Sequence, residues 1–380
     1  MADKYLFPFL LMLACLFACN EKKKNVDDPV STGPITGIEW DAGSLKRISI
    51  IGVYPRLAIL ADKSLAAVYE DGQGHCAFKQ SVDGGATWRN PVIVFQQFQA
   101  QKENSACLVD VSNPEIIQLE NGEILVACNY RPQKAEITPF AIAVKKSRDN
   151  GKTWTDAQVV YEAGERFSDG CWEPSFLQLP NGEIHLYFAN EGPYTQSSEQ
   201  EISLLRSHDN GDTWGDLATV SFFAGSRDGM PVAGIVGNEL VVVIEDNHIV
   251  DFKPGTVRST LQDNWSSPVL SNSPNRAYAL SDPIPDNVYM GAPYLATLSS
   301  GETVISYQTD EGHPGHNTIE VAIGDKNARN FSKRSRPFAS SSLTGEWASI
   351  IVLDAQTVAV VASMSDGGAW MIKGKINNSI

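Results

Sequence analysis

Six cysteines and six histidines in 380 residues leave little for a metal to hold, and no C-x-x-C pair occurs. Basic residues are outnumbered, 30 Lys and Arg against 45 Asp and Glu, for a net charge of −15. Such a surface argues against nucleic acid and gives no long-range pull on polyanions, while suiting a neutral substrate. No phosphate-cradling loop, dinucleotide fingerprint or Ser-His-Asp arrangement stands out. Long charged helical patterns are missing too. What the chain has instead is 30 Gly, 20 Pro and 42% hydrophobic residues. That composition favours a β-rich fold with many turns around a large core.

The apolar run LFPFLLMLACLFA after Lys4 is too short and too near the end for a stable membrane span. L-F-A-C at 16–19 resembles the lipobox of bacterial lipoproteins, where a signal peptidase cuts before a lipidated Cys, although Phe17 stands where a small residue is usual. The resemblance implies a signal segment at residues 1–19, a lipid on Cys19 and a polar tether over 20–36. It places the protein in the bacterial cell envelope, lipid-anchored at the outer membrane (facing periplasm or surface) or secreted. A plain secretory signal or an uncleaved anchor stays open. Cys76, Cys107, Cys128 and Cys171 are read either as disulfide partners of an exported protein or as scattered buried thiols.

Two repeats organise the rest. One is SVDGGATW at 81–88, SRDNGKTW at 147–154 and SHDNGDTW at 207–214. The other recurs six times, starting at 54, 113, 173, 230, 292 and 347: a strand, a tight polar turn and a second strand rich in β-branched residues. Near-continuous apolar runs indicate strands buried on both faces. Six such blocks, each with room for four strands, predict an all-β, six-bladed propeller over residues 37–380, with four-stranded antiparallel blades. The sixth block is followed by only one more strand, so the segment around 36–52 is expected to supply its fourth and close the ring. The octapeptides then fall on the hairpins between third and fourth strands. Asp83, Asp149 and Asp209 can accept backbone N–H bonds there. Trp88, Trp154 and Trp214 can wedge between blades. Three equivalent copies on separate blades cannot all be catalytic.

S-x-D-x-G-x-T-W resembles the Asp box of the sialidase superfamily, which implies the propeller fold but not a reaction. In a propeller the inner strands line a channel, and ligands bind at one mouth. The block alignment places Arg56, Asn113, Glu115, Arg131, Trp172, Asn190, Asp246, Tyr294, Gln308 and Trp347 there as candidate substrate-binding residues. Glycoside hydrolysis needs two carboxyls at such a mouth, and Glu173 and Glu245 are the candidate pair. Glu173 follows a Trp able to stack on a sugar. Glu245 ends an apolar strand beside Asp246, and desolvation and like charge both raise a carboxyl pKa. The blander reading makes each a mouth residue paired with an Arg.

A Trp-Glu-Pro start to blade three, and an apolar strand ending on Glu-Asp 72 residues later, is similar to the exo-α-1,5-L-arabinanases of glycoside hydrolase family 93. That resemblance implies a retaining, exo-acting enzyme on α-1,5-linked L-arabinan, with Glu173 and Glu245 in the two catalytic places; the apolar strand behind Glu245 and Asp246 beside it favour Glu245 as acid/base and Glu173 as nucleophile. It implies no cofactor and no metal, an oligo- or polysaccharide partner, no nucleic acid, membrane contact only through the anchor, and a monomer. Arg56 is expected to keep Glu173 charged. An exo-α-sialidase is the first alternative: YPR at 54–56 loosely matches an Arg-Ile-Pro start, and Arg131, Arg227 and Arg276 offer further guanidiniums. A non-catalytic carbohydrate-binding surface lipoprotein is the second. DEGHPGHN at 310–317 gathers Asp310, Glu311, His313 and His316, weighed as a metal site against a plain mouth loop.

Overall fold

A computed structural model describes residues 33–339 and 343–379, and they form six antiparallel sheets set in a ring. The inner strands are Val53–Ile59, Ser105–Gln118, Cys171–Gln178, Asp228–Val236, Met290–Thr297 and Gly345–Asp354. Each packs on the next, and the last on the first. Second strands are buried from end to end, as in Leu240–Ile244, which explains their unbroken apolar runs. Residues 1–32, where the sequence leads one to expect a signal segment, a lipidated Cys19 and most of a tether, lie outside the described residues.

The ring closes as the sequence predicts. Ile35–Ser49 becomes the outer strand of blade six, paired with Ala369–Asn378 from Ile35↔Asn378 to Ser49↔Ala369. The folded unit therefore begins two residues before position 37. Blade two departs from the four-stranded expectation. Its inner strand extends past the mouth, and Phe98–Lys102 folds back on that extension as a fifth strand.

All three octapeptides sit on the third-to-fourth-strand hairpins, at the face opposite the mouth. Asp149 Oδ1 accepts from Ser147 Oγ (2.9 Å) and Thr153 N (2.8 Å), and its Oδ2 accepts from Thr153 Oγ1 (2.6 Å). Asp83 and Asp209 repeat the pattern. Bonds from Thr153 hold Asp149 at about 2. Each motif's Trp packs toward the preceding blade. Trp154 meets Phe78 at 5.7 Å, edge to face, and Trp88 joins the cluster that contains Met371. Blades four to six have lost the octapeptide but keep the wedge. Trp265 donates Nε1 to Tyr187 OH (3.0 Å), Phe331 is wholly buried between blades four and five, and Trp40 donates to Ser335 Oγ (3.1 Å). The aromatic wedge matters to every blade junction, whereas the hairpin can be built in several ways. The four cysteines 76, 107, 128 and 171 are free and buried, on the thiol side of the sequence's two readings.

Candidate active site

Every inner strand is bulged at the mouth. The ladder skips between Val53 and Arg56, Ser112 and Glu115, Trp172 and Ser175, Gly229 and Val232, Gly291 and Tyr294, and Glu346 and Ser349. One residue at each bulge takes left-handed φ: Tyr54, Asn113, Glu173, Met230, Ala292 and Trp347. In five of the six a proline follows, where the interrupted ladder asks for no donor. Such φ is uncommon for residues other than Gly and Asn and persists only where the surroundings enforce it.

Those surroundings are the neighbouring blades. The bulge frees a backbone N–H, and at four of the six a side chain of the preceding blade's second strand caps it. Glu70 accepts from Asn113 N (2.9 Å), Glu245 from Ala292 N (2.8 Å), Gln308 from Trp347 N (2.7 Å) and Ser363 from Tyr54 N (2.8 Å). In blade three that place is held by Ala189, which has no acceptor, and Glu173 Oε2 accepts from Met230 N instead (2.9 Å). The two candidate carboxyls thus come from different strands yet are fixed by the same device, one blade apart.

They converge on one peptide. Glu173 bonds the N–H of Met230, and a β-carbon on the adjacent Gly229 would come within 3.1 Å of Glu245 Oε1. On the other side of Glu245, a β-carbon at Gly291 would come within 2.6 Å of Oε2. The carboxyl shares that space with Gln200 Nε2, 3.0 Å from a β-carbon at Gly229, and with Tyr289 OH, closer still to one at Gly291, so a side chain at either place would crowd the site. Burial first, and then the charge of Glu173, pushes Glu245 up to about 8. Burial pushes Glu173 up to about 7, opposed by the Met230 N–H, Arg227 and Arg56. Both carboxyls are therefore held above the ordinary carboxylate range, Glu245 with the added push of the charge on Glu173.

The pair lines a cavity of about 310 Å³. Tyr54 and Trp347 close its floor, packed with Met230 and Ala292 across the channel. Asn113, Arg131 and Trp172 face it as predicted, joined by Glu70, Glu191, Gln200, Arg227, Phe167 and Phe252. Trp172 lies 5.3 Å from Phe167 and 4.8 Å from Phe140, with the Arg131 guanidinium 5.2 Å over its ring. These mutually tilted rings form an apolar wall, with Arg131 over one face of Trp172 and anionic groups nearby. Arg227 pairs with Glu191 and Gln200. Burial raises Glu70 as well.

Six of the predicted contacts are elsewhere. Arg56, Glu115 and Tyr294 sit two residues past the left-handed residue of each bulge, one layer below the floor formed by Tyr54 and Trp347. Arg56 is 2% exposed, 3.5 Å from Glu115 and stacked on Tyr54 at 3.8 Å, while Tyr294 OH reaches Glu115 Oε1 at 3.4 Å. Burial lifts Glu115 to about 7. Arg56 therefore acts on Glu173 only at a distance, and the expectation of an Arg56-held, fully ionised Glu173 is corrected. Asn190 and Asp246 come one residue after the capping position, so strand alternation turns them away. Asn190 bonds Tyr161 and Ser203, and Asp246 pairs with Arg276 at 2.8 Å. Glu173, not Asp246, is the like charge that raises Glu245. Gln308 is buried beneath Trp347, capping it and donating to Tyr289 OH at 2.9 Å. The 310–317 cluster disperses: Asp310 accepts from Tyr289 N (3.0 Å), Glu311 pairs with Arg334, and His313 lines a separate pocket with Met364. Among the described residues no group of three His, Cys, Asp or Glu is placed to hold a metal.

A family model described as a BNR repeat-like domain matches residues 134–250, the stretch holding the second and third octapeptides. No well-characterised protein matches by sequence. Among solved structures, the chain resembles an α-L-arabinofuranosidase of Fusarium graminearum bound to an iminosugar inhibitor (TM-score 0.64, 17% identity, over 92% of this chain and 98% of that one). It also resembles an α-L-arabinanase of Penicillium chrysogenum complexed with arabinobiose (TM-score 0.59, 16% identity, 92% and 99%). A third likeness is to the NanB sialidase of Streptococcus pneumoniae (TM-score 0.60, 13% identity, 84% and 68%). At these identities the likeness shows a shared propeller fold.

Proposed function

We propose that the protein is a retaining, exo-acting glycoside hydrolase that cleaves α-1,5-linked L-arabinan from a chain end. The observation that carries this is the Glu173–Glu245 pair: two carboxyls in one cavity, each fixed by a bulge N–H and both raised above the ordinary carboxylate range by burial. Glu245, raised by the charge of Glu173 as well as by burial, serves as the acid that protonates the departing glycosidic oxygen. Glu173, ionised first as pH rises, attacks the anomeric carbon. Glu245 then takes a proton from water as that water releases the sugar from Glu173. A floor closed by Tyr54 and Trp347 suits one chain end, and Trp172 suits the face of a sugar ring.

The sialidase alternative asks for a set of guanidiniums on a carboxylate. Arg56 pairs with Glu115, and Arg276 with Asp228 and Asp246, leaving Arg131 and Arg227 at the cavity. We further propose that Cys19 carries a lipid that anchors the enzyme in the bacterial envelope. A screen of residues 20–380 against linear arabinan, debranched arabinan, sialyllactose and aryl glycosides tests the assignment. Arabinose or arabinobiose release is expected. Sialic acid release without arabinan cleavage overturns it, and no release from any glycan favours the binding-protein reading.

A further inference from the structure

The catalytic cavity opens sideways into a larger one of about 720 Å³ over blades one and two, and the two share Glu70, Arg131 and Phe167. Phe167, on the short turn Phe167–Asp169, is 65% exposed at the junction. Beyond it Gln73, Gln97 and Gln133 line the groove with amide side chains.

The groove is built rather than incidental. Asp71 Oδ1 accepts from Gln73 N (2.8 Å) and His75 N (3.2 Å), folding the 71–75 turn onto itself. Gly74 O accepts from Val111 N (2.9 Å), and His75 Nδ1 accepts from Gln97 N (2.8 Å), tying that turn to blade two. Gln97 Nε2 donates to Asp110 Oδ1 at 2.5 Å. A β-carbon at Gly74 would collide with both atoms, and its φ of +81°, like the +77° of Gly72, favours glycine. The extended inner strand of blade two, with its added hairpin, carries the wall on which Asp110 stands.

Resting on the hydrolase reading above, we infer that this groove binds the remainder of a neutral oligosaccharide, of at least three sugar units, whose end lies in the Glu173–Glu245 cavity. Amides and a carboxylate offer paired donors and acceptors to vicinal hydroxyls, and the exposed Phe167 ring offers a face to a sugar at the junction. With Glu70 and Asp110 against Arg131 alone, the groove has no cationic surplus for an acidic glycan.

The test uses α-1,5-arabinotetraose and an aryl arabinofuranoside on the wild type and on Gln97→Ala and Gln133→Trp, with melting temperatures confirming folding. The ratio of kcat/KM on the tetraose to that on the aryl glycoside should fall about tenfold, the loss of one or two hydrogen bonds. An unchanged ratio in both folded variants overturns the groove. A second arm titrates the tetraose into Glu245→Gln by calorimetry, with and without Gln133→Trp. Binding weakened by Gln133→Trp supports the groove even if the wild type hydrolyses nothing, which would sink the hydrolase reading alone. No binding of the tetraose, or preference for sialyllactose, overturns the groove.

Discussion

Replacing Glu245 by Gln should abolish turnover and, above neutral pH, make the protein more stable. The amide keeps an oxygen for the Ala292 N–H, so the local bond survives while the charge is gone. A carboxyl whose folded midpoint is raised binds a proton more tightly in the native than in the unfolded state. Stability therefore falls as pH rises from its unfolded value, 4.5, through about 8. The whole displacement corresponds to about 5 kcal/mol at 1.36 kcal/mol per pH unit. Glu245 is partly exposed and part of the effect belongs to its coupling with Glu173, so roughly 2–3 kcal/mol is expected from the substitution. At about 2.1 cal/mol/K per residue, a chain of 380 residues converts that to a rise of about 3 °C in Tm. Thermal melts of both proteins at pH 5.0 and 8.5 check it. The difference should be near zero at the acidic pH, where Glu245 is protonated in the native state, and should appear at pH 8.5. An equal difference at both pH values, or a less stable variant at pH 8.5, refutes the account of the pair.

Turnover requires Glu173 ionised and Glu245 protonated, so kcat/KM on an aryl glycoside should rise through about pH 7 and fall through about pH 8; a profile flat from 5 to 9 contradicts this. Gly291→Ala puts a methyl against Glu245, and activity should drop by orders of magnitude, whereas Gly301→Ala, on a turn at the far face, should leave kcat/KM within about twofold. Trp265→Ala, at a fully buried wedge, should lower stability by roughly 3–5 kcal/mol in chemical denaturation, and the half-buried Trp154→Ala by about half that. Cys19→Ser should move the protein from the membrane fraction to soluble or unprocessed forms; identical fractionation of wild type and variant, with no acyl chain on either, removes the proposed anchor.

The blade count, the hairpin positions of the octapeptides and the closure by the N-terminal strand were legible because six near-copies of one supersecondary unit average out local ambiguity. Glu173 and Glu245 were legible as well, since one marks a bulge and the other a strand end in that register. Of the surrounding contacts, Asn113, Arg131, Trp172 and Trp347 were legible too, and the other six were not. A bulge adds a residue, and side-chain direction alternates with period two. Counting to Asn190 and Asp246 instead of Ala189 and Glu245 therefore selects the wrong face. Counting two past the bulge to Arg56, Glu115 and Tyr294 selects the layer beneath the floor. The prolines at 55, 114, 174, 231 and 293 mark the bulges and could have fixed the phase. Phe167, Gln200, Arg227 and Phe252 come from connections that do not repeat, so no alignment of blocks could have reached them.

The union of Ile35–Ser49 with Ala369–Asn378 has a temporal meaning. These partners are about 330 residues apart, and bringing such distant segments together carries a chain-entropy penalty of roughly 5 kcal/mol by the logarithmic law. During synthesis the outer strand of blade six emerges first, and its partner emerges last. Blades one to five can stack on one another as each is completed, but the first-made strand must wait, unpaired, until Ala369–Asn378 has been made. The ring therefore cannot lock until both of these strands have been made.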